Sequence, residues 1–276
     1  MRCFISICKA DLKRGFYVCR KFYALLFFVA FLGSVSSYSK LYKHIINGTV
    51  KSVSLGEGII SFFKGTKEYI KGNMVDIPEI SLVIVFILLI IISLYINNDI
   101  QGIGKNILVN SCSYSKWWLS KFIWMIISVT FFYMIILFAN ILSGVLLFGE
   151  NFNISISYIC ESNVKILFNT SEIYETINSF SFIGESFLLF VTAASVQLLI
   201  SLLLRPTYGI IIEIIVFTFS VFNMRWYWVF NYMMSLRIEC MPNGFKNEVY
   251  GIYFMLGINA VVVLIGILRL KNREFV

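Results

Sequence analysis

The chain has 276 residues, of which 59% are hydrophobic and only 14% charged, with a formal net charge of +8. A soluble domain is about 45–50% apolar and about 25% charged, so too little charge is present here to cover a water-facing surface. This excludes disordered, collagen-like and ordinary globular chains and leaves a protein that crosses the bilayer several times.

The first 21 residues form a basic amphipathic segment. Phe4, Cys8, Leu12, Phe16 and Cys19 recur at helical spacing, while Lys9, Lys13, Arg20 and Lys21 largely take other faces. That pattern predicts a helix lying in the membrane interface with its apolar side in the acyl boundary. The run that follows, with Ser34-Val35-Ser36 at its end, also has the order of a secretory signal. Its basic region is too long for one, and the run is read as a span.

A hydrocarbon core about 30 Å thick needs roughly 20 apolar residues in a helix. Six stretches meet this: residues 22–38, 80–96, 122–148, 182–204, 207–224 and 249–268. Backbone groups in lipid must be paired within the segment, so these are helices and the predicted fold is an all-α six-span domain over 22–276. An even number of spans puts both termini on one side. That side then carries thirteen basic residues against three acids, and the other carries ten of each. The excess marks the cytoplasmic side, so both termini and the 97–116 loop are predicted to be cytoplasmic. The weak point is the 39–79 loop, which puts six lysines outside. Charge distributed in this way is a topology signal, and no basic patch interleaved with aromatics suggests nucleic-acid binding.

The loop after the second span is the most informative stretch. It runs Asn97-Asn98-Asp99-Ile100-Gln101-Gly102-Ile103-Gly104-Lys105, then Ile107 and Leu108 on the helical face of Ile103. Next come a break at Ser111-Cys112-Ser113 and an aromatic-basic return to lipid through Trp117, Trp118 and Lys121. The tryptophans are predicted at the interface. Gly102-Ile103-Gly104-Lys105 lacks the spacing and preceding strand of a phosphate loop, and no Walker A sequence occurs in the chain.

In this order of features the chain resembles the permease subunits of type-2 ABC exporters. Asp99, Gly102, Lys105, Ser111, Ser115 and Lys121 follow the order of that family's coupling loop, with Cys112-Ser113 where the family often has a proline. Residues 225–248, with Trp226, Trp228, Met233, Met234 and Pro242, suit its re-entrant half-helices, and 269–276 its short basic tail. The resemblance extends over essentially the whole chain on loose motifs. It implies a separate ABC ATPase dimer that binds ATP and Mg and docks on Asp99, Gly102, Ile103, Lys105, Ile107 and Leu108, with residues 1–21 as a second contact. It further implies a second permease, identical or related, and an amphipathic substrate such as an antimicrobial peptide, a lipid-like molecule or a drug. Spans one, two and five would line the path, which makes Phe27, Phe28, Phe31, Phe86 and Phe217 candidate lining residues. The chain itself would hold no cofactor and catalyse no reaction.

Glu213 lies among isoleucines in the fifth span. A carboxyl there costs about 2.5–3.5 kcal/mol on insertion scales. It is either a substrate-contact or relay acid, or a buried acid that is neutral or paired with Gln197, Arg205 or Asn140. Glu185 is expected at the outer start of span four, favouring the helix N-terminus. Cys160 and Cys240 both fall in outer loops, so a bridge between them is topologically allowed. His44 is the sole histidine, which argues against a His-based metal site or triad. The three glycosylation sequons are read as chance in a chain whose Ile-, Asn- and Lys-rich usage looks bacterial. Two other functions compete: an intramembrane enzyme, for which no His-Glu-x-x-His or similar set exists, and an assembly or sensor subunit without transport.

Overall fold

The computed structural model describes residues 2–48, 50–70, 76–101, 114–156, 159–168, 178–238 and 248–271. These are built of α1 (Arg2–Ile46), α2 (Leu55–Phe62), α3 (Glu79–Gln101), α4 (Tyr114–Phe148), α5 (Glu161–Phe168), α6 (Ser179–Leu203), α7 (Pro206–Phe222) and α8 (Glu248–Lys271). Two-residue strands β1 (Val53–Ser54) and β2 (Phe152–Asn153) pair in parallel, Val53 opposite Phe152 and Ser54 opposite Asn153. The fold is all-α. Among the described residues, five segments are long and apolar enough to cross a membrane: Phe4–Ile46, Glu79–Asp99, Ser115–Asn151, Ser179–Leu203 and Val249–Leu268. The stretch read as a fifth span forms α7, a helix of 17 residues. At 1.5 Å per residue it is about 25 Å long, short of a hydrocarbon core about 30 Å thick. Pro206 takes its first position, where the missing N–H is one of the orphans anyway.

The boundary expected after residue 21 does not interrupt the helix. Residues 2–46 form one continuous α1, which lies along α4 for much of its length. Its buried stripe is Ile7, Asp11, Gly15, Cys19, Tyr23, Leu26 and Ala30. Of the predicted apolar face, Cys19 falls on this stripe, while Phe4, Cys8, Leu12 and Phe16 sit one residue further on and are only partly buried. Gly15 explains the offset. A Cβ at that position would collide with the Trp124 indole of α4, so the glycine lets the two backbones close up. Small residues play this role where lipid offers no hydrophobic drive between helices.

The hub is α6, which touches α3, α4, α7 and α8. Its buried face carries Ser186, Thr192, Ala193, Ala194, Ser195, Gln197 and Ser201. Hydrogen bonds link it to its neighbours: Gln197 Nε2 donates to Ser93 Oγ of α3 at 2.5 Å and to the Pro206 carbonyl of α7 at 3.0 Å, Asn259 Nδ2 of α8 donates to Thr192 Oγ1 at 2.8 Å, and the Tyr133 hydroxyl of α4 donates to the Ile183 carbonyl at 3.2 Å. Exposed apolar side chains cover the outer faces, among them Phe28, Leu32, Met134, Phe138, Ile211, Ile215 and Leu264. Such a surface suits lipid rather than water.

Trp117 and Trp118 are both buried within the bundle. Trp118 Nε1 donates to the Val263 carbonyl of α8 at 3.2 Å, and Gly266 makes room for its ring. Packing against α8 buries Trp118, and Trp117 lies over the Lys121 ammonium.

Candidate functional site

Lys121 lies on α4 and has no solvent exposure. An ammonium has three donors, and each finds an acceptor. Nζ is 2.6 Å from Asp11 Oδ1 of α1, 2.9 Å from Asp99 Oδ2 of α3 and 3.0 Å from the Tyr95 hydroxyl of α3. Ser120 Oγ donates to the other oxygen of Asp11. Arg14 adds a longer contact, Nη1 to Asp99 Oδ1 at 3.9 Å, and donates through Nη2 to the Asn98 carbonyl at 3.2 Å. The Tyr95 ring stacks on Trp124 with centroids 3.6 Å apart. The Lys121 ammonium sits 5.2 Å from the Tyr95 ring and 5.3 Å from Trp117, a cation–π setting. Two carboxylates, one ammonium and one guanidinium thus join α1, α3 and α4 where α3 ends and α4 begins. A buried pair of this kind is favourable only when its remaining donors and acceptors are met; here both Asp11 oxygens accept hydrogen bonds, while Asp99 Oδ2 is held by its ion pair with Lys121.

Asp99 is the one predicted coupling residue that the structure describes, and it belongs to this cluster. Gly102, Ile103, Lys105, Ile107 and Leu108 lie outside the described residues. The sequence reading missed Asp11, Arg14 and Tyr95 as partners. One signal was available: Asp11 is the sole acid in the first 21 residues, at the i+4 position between Ile7 and Gly15. Lys121, eight residues into α4, is legible in the sequence as the basic residue of the return to lipid, but a sequence does not show what a basic group faces.

The path candidates do not form one wall within the chain. Phe27 and Phe31 stack at 6.3 Å on α1, and Phe27 meets Phe138 of α4 at 6.1 Å. Phe28 and Phe86 are exposed. Phe217 is buried against Phe230, centroids 5.2 Å apart. Glu213 is buried near the middle of α7, with α6 and α8 as neighbours. Of its three predicted partners, Gln197 is beside it, through its backbone. Asn140 instead donates to the Ile136 carbonyl of its own helix. Glu185 is buried in the second turn of α6, where Ser181 Oγ donates to it at 3.3 Å.

The opposite end of the bundle is closed by a cap of loops. Ser54 and Glu57 form a reciprocal cap on α2, with Ser54 N–H donating to Glu57 Oε2 at 2.9 Å. Glu57 Oε1 also accepts from the Cys160 N–H at 2.7 Å, and both its oxygens accept from Asn163 Nδ2 at 3.1 Å, tying the start of α2 to α5. Burial raises the Glu57 carboxyl above its ordinary range, and these donors offset part of the rise. Cys160 is a free thiol, so the bridge allowed by topology is not formed; Cys240 lies outside the described residues.

Half-helices are not formed by the described part of the 225–248 segment. It winds into two short 3₁₀ turns, Val229–Met233 and Ser235–Arg237. The reason is Arg237, which has no solvent exposure and draws the chain inward. Its guanidinium donates to the carbonyls of Thr66 at 2.8 Å, Ser220 at 2.5 Å and Val221 at 2.8 Å, and to Asn231 Oδ1. Ser220 and Val221 supply last-turn carbonyls of α7 that the helix leaves unpaired, at its negative end. Burial lowers the Arg237 guanidinium to about 10, still cationic near neutrality.

No curated protein and no solved structure matches the chain. Residues 60–276 match the family model described as "Protein of unknown function (DUF2705)". That stretch begins within α2 and takes in Asp99, Lys121, Glu213 and Arg237, while α1 with Asp11 precedes it. As the match spans well over half of the chain, this membrane-type helical protein belongs to the DUF2705 family.

Proposed function

We propose that this chain is the membrane-spanning permease subunit of an ATP-driven ABC exporter. It would reside in the cell membrane with both termini cytoplasmic. The five long helices and α7 would make six spans, the shorter α7 being accommodated by local thinning of the bilayer. A separate ABC ATPase dimer would bind ATP and Mg, and a second permease, identical or related, would complete the path. The substrate would be amphipathic: an antimicrobial peptide, a lipid-like molecule or a drug.

The observation that carries this reading is the Asp11–Lys121–Asp99 cluster. It binds α1, α3 and α4 together where α3 ends and α4 begins, the two ends that residues 102–113 connect in sequence. A push on that segment would therefore enter three helices at once instead of bending one. Rigid elements of this kind convert a local displacement into movement of a whole bundle. The exposed aromatic and aliphatic faces of α1 and α3 also leave apolar surface for a second permease or an amphipathic substrate.

The test is co-expression with an ABC ATPase, followed by purification and measurement of ATP turnover and transport. Gly102→Asp or Ile107→Asp should leave membrane insertion at the wild-type level while stimulated turnover falls about tenfold, roughly 1.4 kcal/mol of lost coupling. Normal transport in either variant would remove the docking claim. An ATPase that never co-purifies would favour an assembly or sensor subunit without transport.

A further inference from the structure

A cavity of about 240 Å³ lies between α6, α7, α8 and the chain at 227–230. Tyr227, Trp228, Phe230 and Phe254 contribute aromatic side chains to its lining, and the rest is nearly all aliphatic. Among the described residues, Glu213 is the sole carboxyl or cationic side chain that lines it. This carboxyl is 4% exposed, its Oε1 has no hydrogen-bond partner, and none of the four ion pairs among the described residues includes it. The other buried polar group on the wall, the Thr192 hydroxyl, is already occupied: it donates to the Leu188 carbonyl and accepts from Asn259, both at 2.8 Å. Ile212 and Tyr227, each nearly half exposed, mark the mouth on the apolar flank of the bundle.

We propose that this cavity binds a lipophilic organic cation. Its apolar body would fill the aromatic walls, its positive centre would rest against ring faces, and Glu213 would neutralise the charge. The alternatives fit less well. An acyl chain would match the walls but leave the Glu213 Oε1 without a partner in a dry site, which is unfavourable. A hard metal ion needs several oxygen ligands where the wall supplies one carboxylate. The volume is below the roughly 300–1,000 Å³ of drug-sized pockets, so the occupant is a small cation with one aromatic ring, not a peptide. Binding at this site needs neither ATPase nor transport, so it stands or falls separately from the permease reading.

The experiment titrates the purified full chain in detergent with benzyltriethylammonium, and in parallel with uncharged butylbenzene, following tryptophan fluorescence. Saturable binding of the cation is expected to be at least about tenfold tighter than that of butylbenzene. Glu213→Gln should remove that preference while leaving butylbenzene binding and the melting temperature in place, and Glu213→Asp should restore part of it. Equal affinity of wild type for the two probes would overturn the proposal, and this comparison decides the matter even if Glu213→Gln fails to fold. Unaltered cation affinity in a folded Glu213→Gln protein would overturn it equally.

Discussion

A single ammonium can decide whether three helices meet. Lys121 has all three of its donors engaged, two of them by carboxylates that are themselves buried. Removing it would leave Asp11 and Asp99 facing each other, with only the more distant Arg14 to oppose them. Breaking a buried pair from one side typically costs about 3–5 kcal/mol, whereas replacing all members by neutral groups is often close to neutral. Lys121→Met should therefore lower the melting temperature in detergent sharply, and adding Asp11→Asn and Asp99→Asn should recover most of the loss. A Lys121→Met protein as stable as wild type would show that the cluster holds nothing together. Arg237 does comparable work at the other end with a different chemistry. It satisfies carbonyls instead of carboxylates, so its charge is spread over several dipoles and needs no acid partner.

Among the elements, α1 departs furthest from its sequence pattern. The periodicity of Phe4, Cys8, Leu12, Phe16 and Cys19 is genuine, but only Cys19 falls on the packed stripe, and the other four lie partly buried beside it. In lipid a helix face can be apolar without touching protein, so the packed face is marked by small and polar residues instead. Gly15, Asp11 and Cys19 form that face. Gly15→Leu should push the Trp124 indole aside and part α1 from α4, costing about 1–3 kcal/mol by overpacking. Leucine at the exposed Ala10 should be tolerated. Thermal unfolding of the two variants in the same detergent compares them directly, and equal melting temperatures would refute the tight approach. The same logic explains α6, whose small and hydroxyl-bearing residues make it the contact centre of the bundle.

At the level of the molecule, the two ends are built differently. One end gathers α1, α3 and α4 by buried charge. The other is closed by loops that Glu57 and Arg237 cross-link through backbone groups. If the basic excess orients the chain as proposed, the cap faces outward. A membrane-impermeant maleimide should then label Cys160 in intact cells, while a variant retaining only Cys112 should react after permeabilisation alone. The reverse pattern would invert the topology and take the ATPase-docking claim with it.

Composition and run length were enough for the helical class and for most helix positions, because lipid compels every backbone group to pair within its own segment. They placed α3, α4, α6 and α8 within a few residues at the C-terminal ends, and Asp99 was legible because an acid at the edge of an apolar run is unusual. The partners of Lys121, the burial of Trp117 and Trp118, the course of the 225–238 segment and the surroundings of Glu213 were not legible. Each depends on residues far apart in the chain that meet through helix packing, and a polar group's worth in a membrane depends on what it meets.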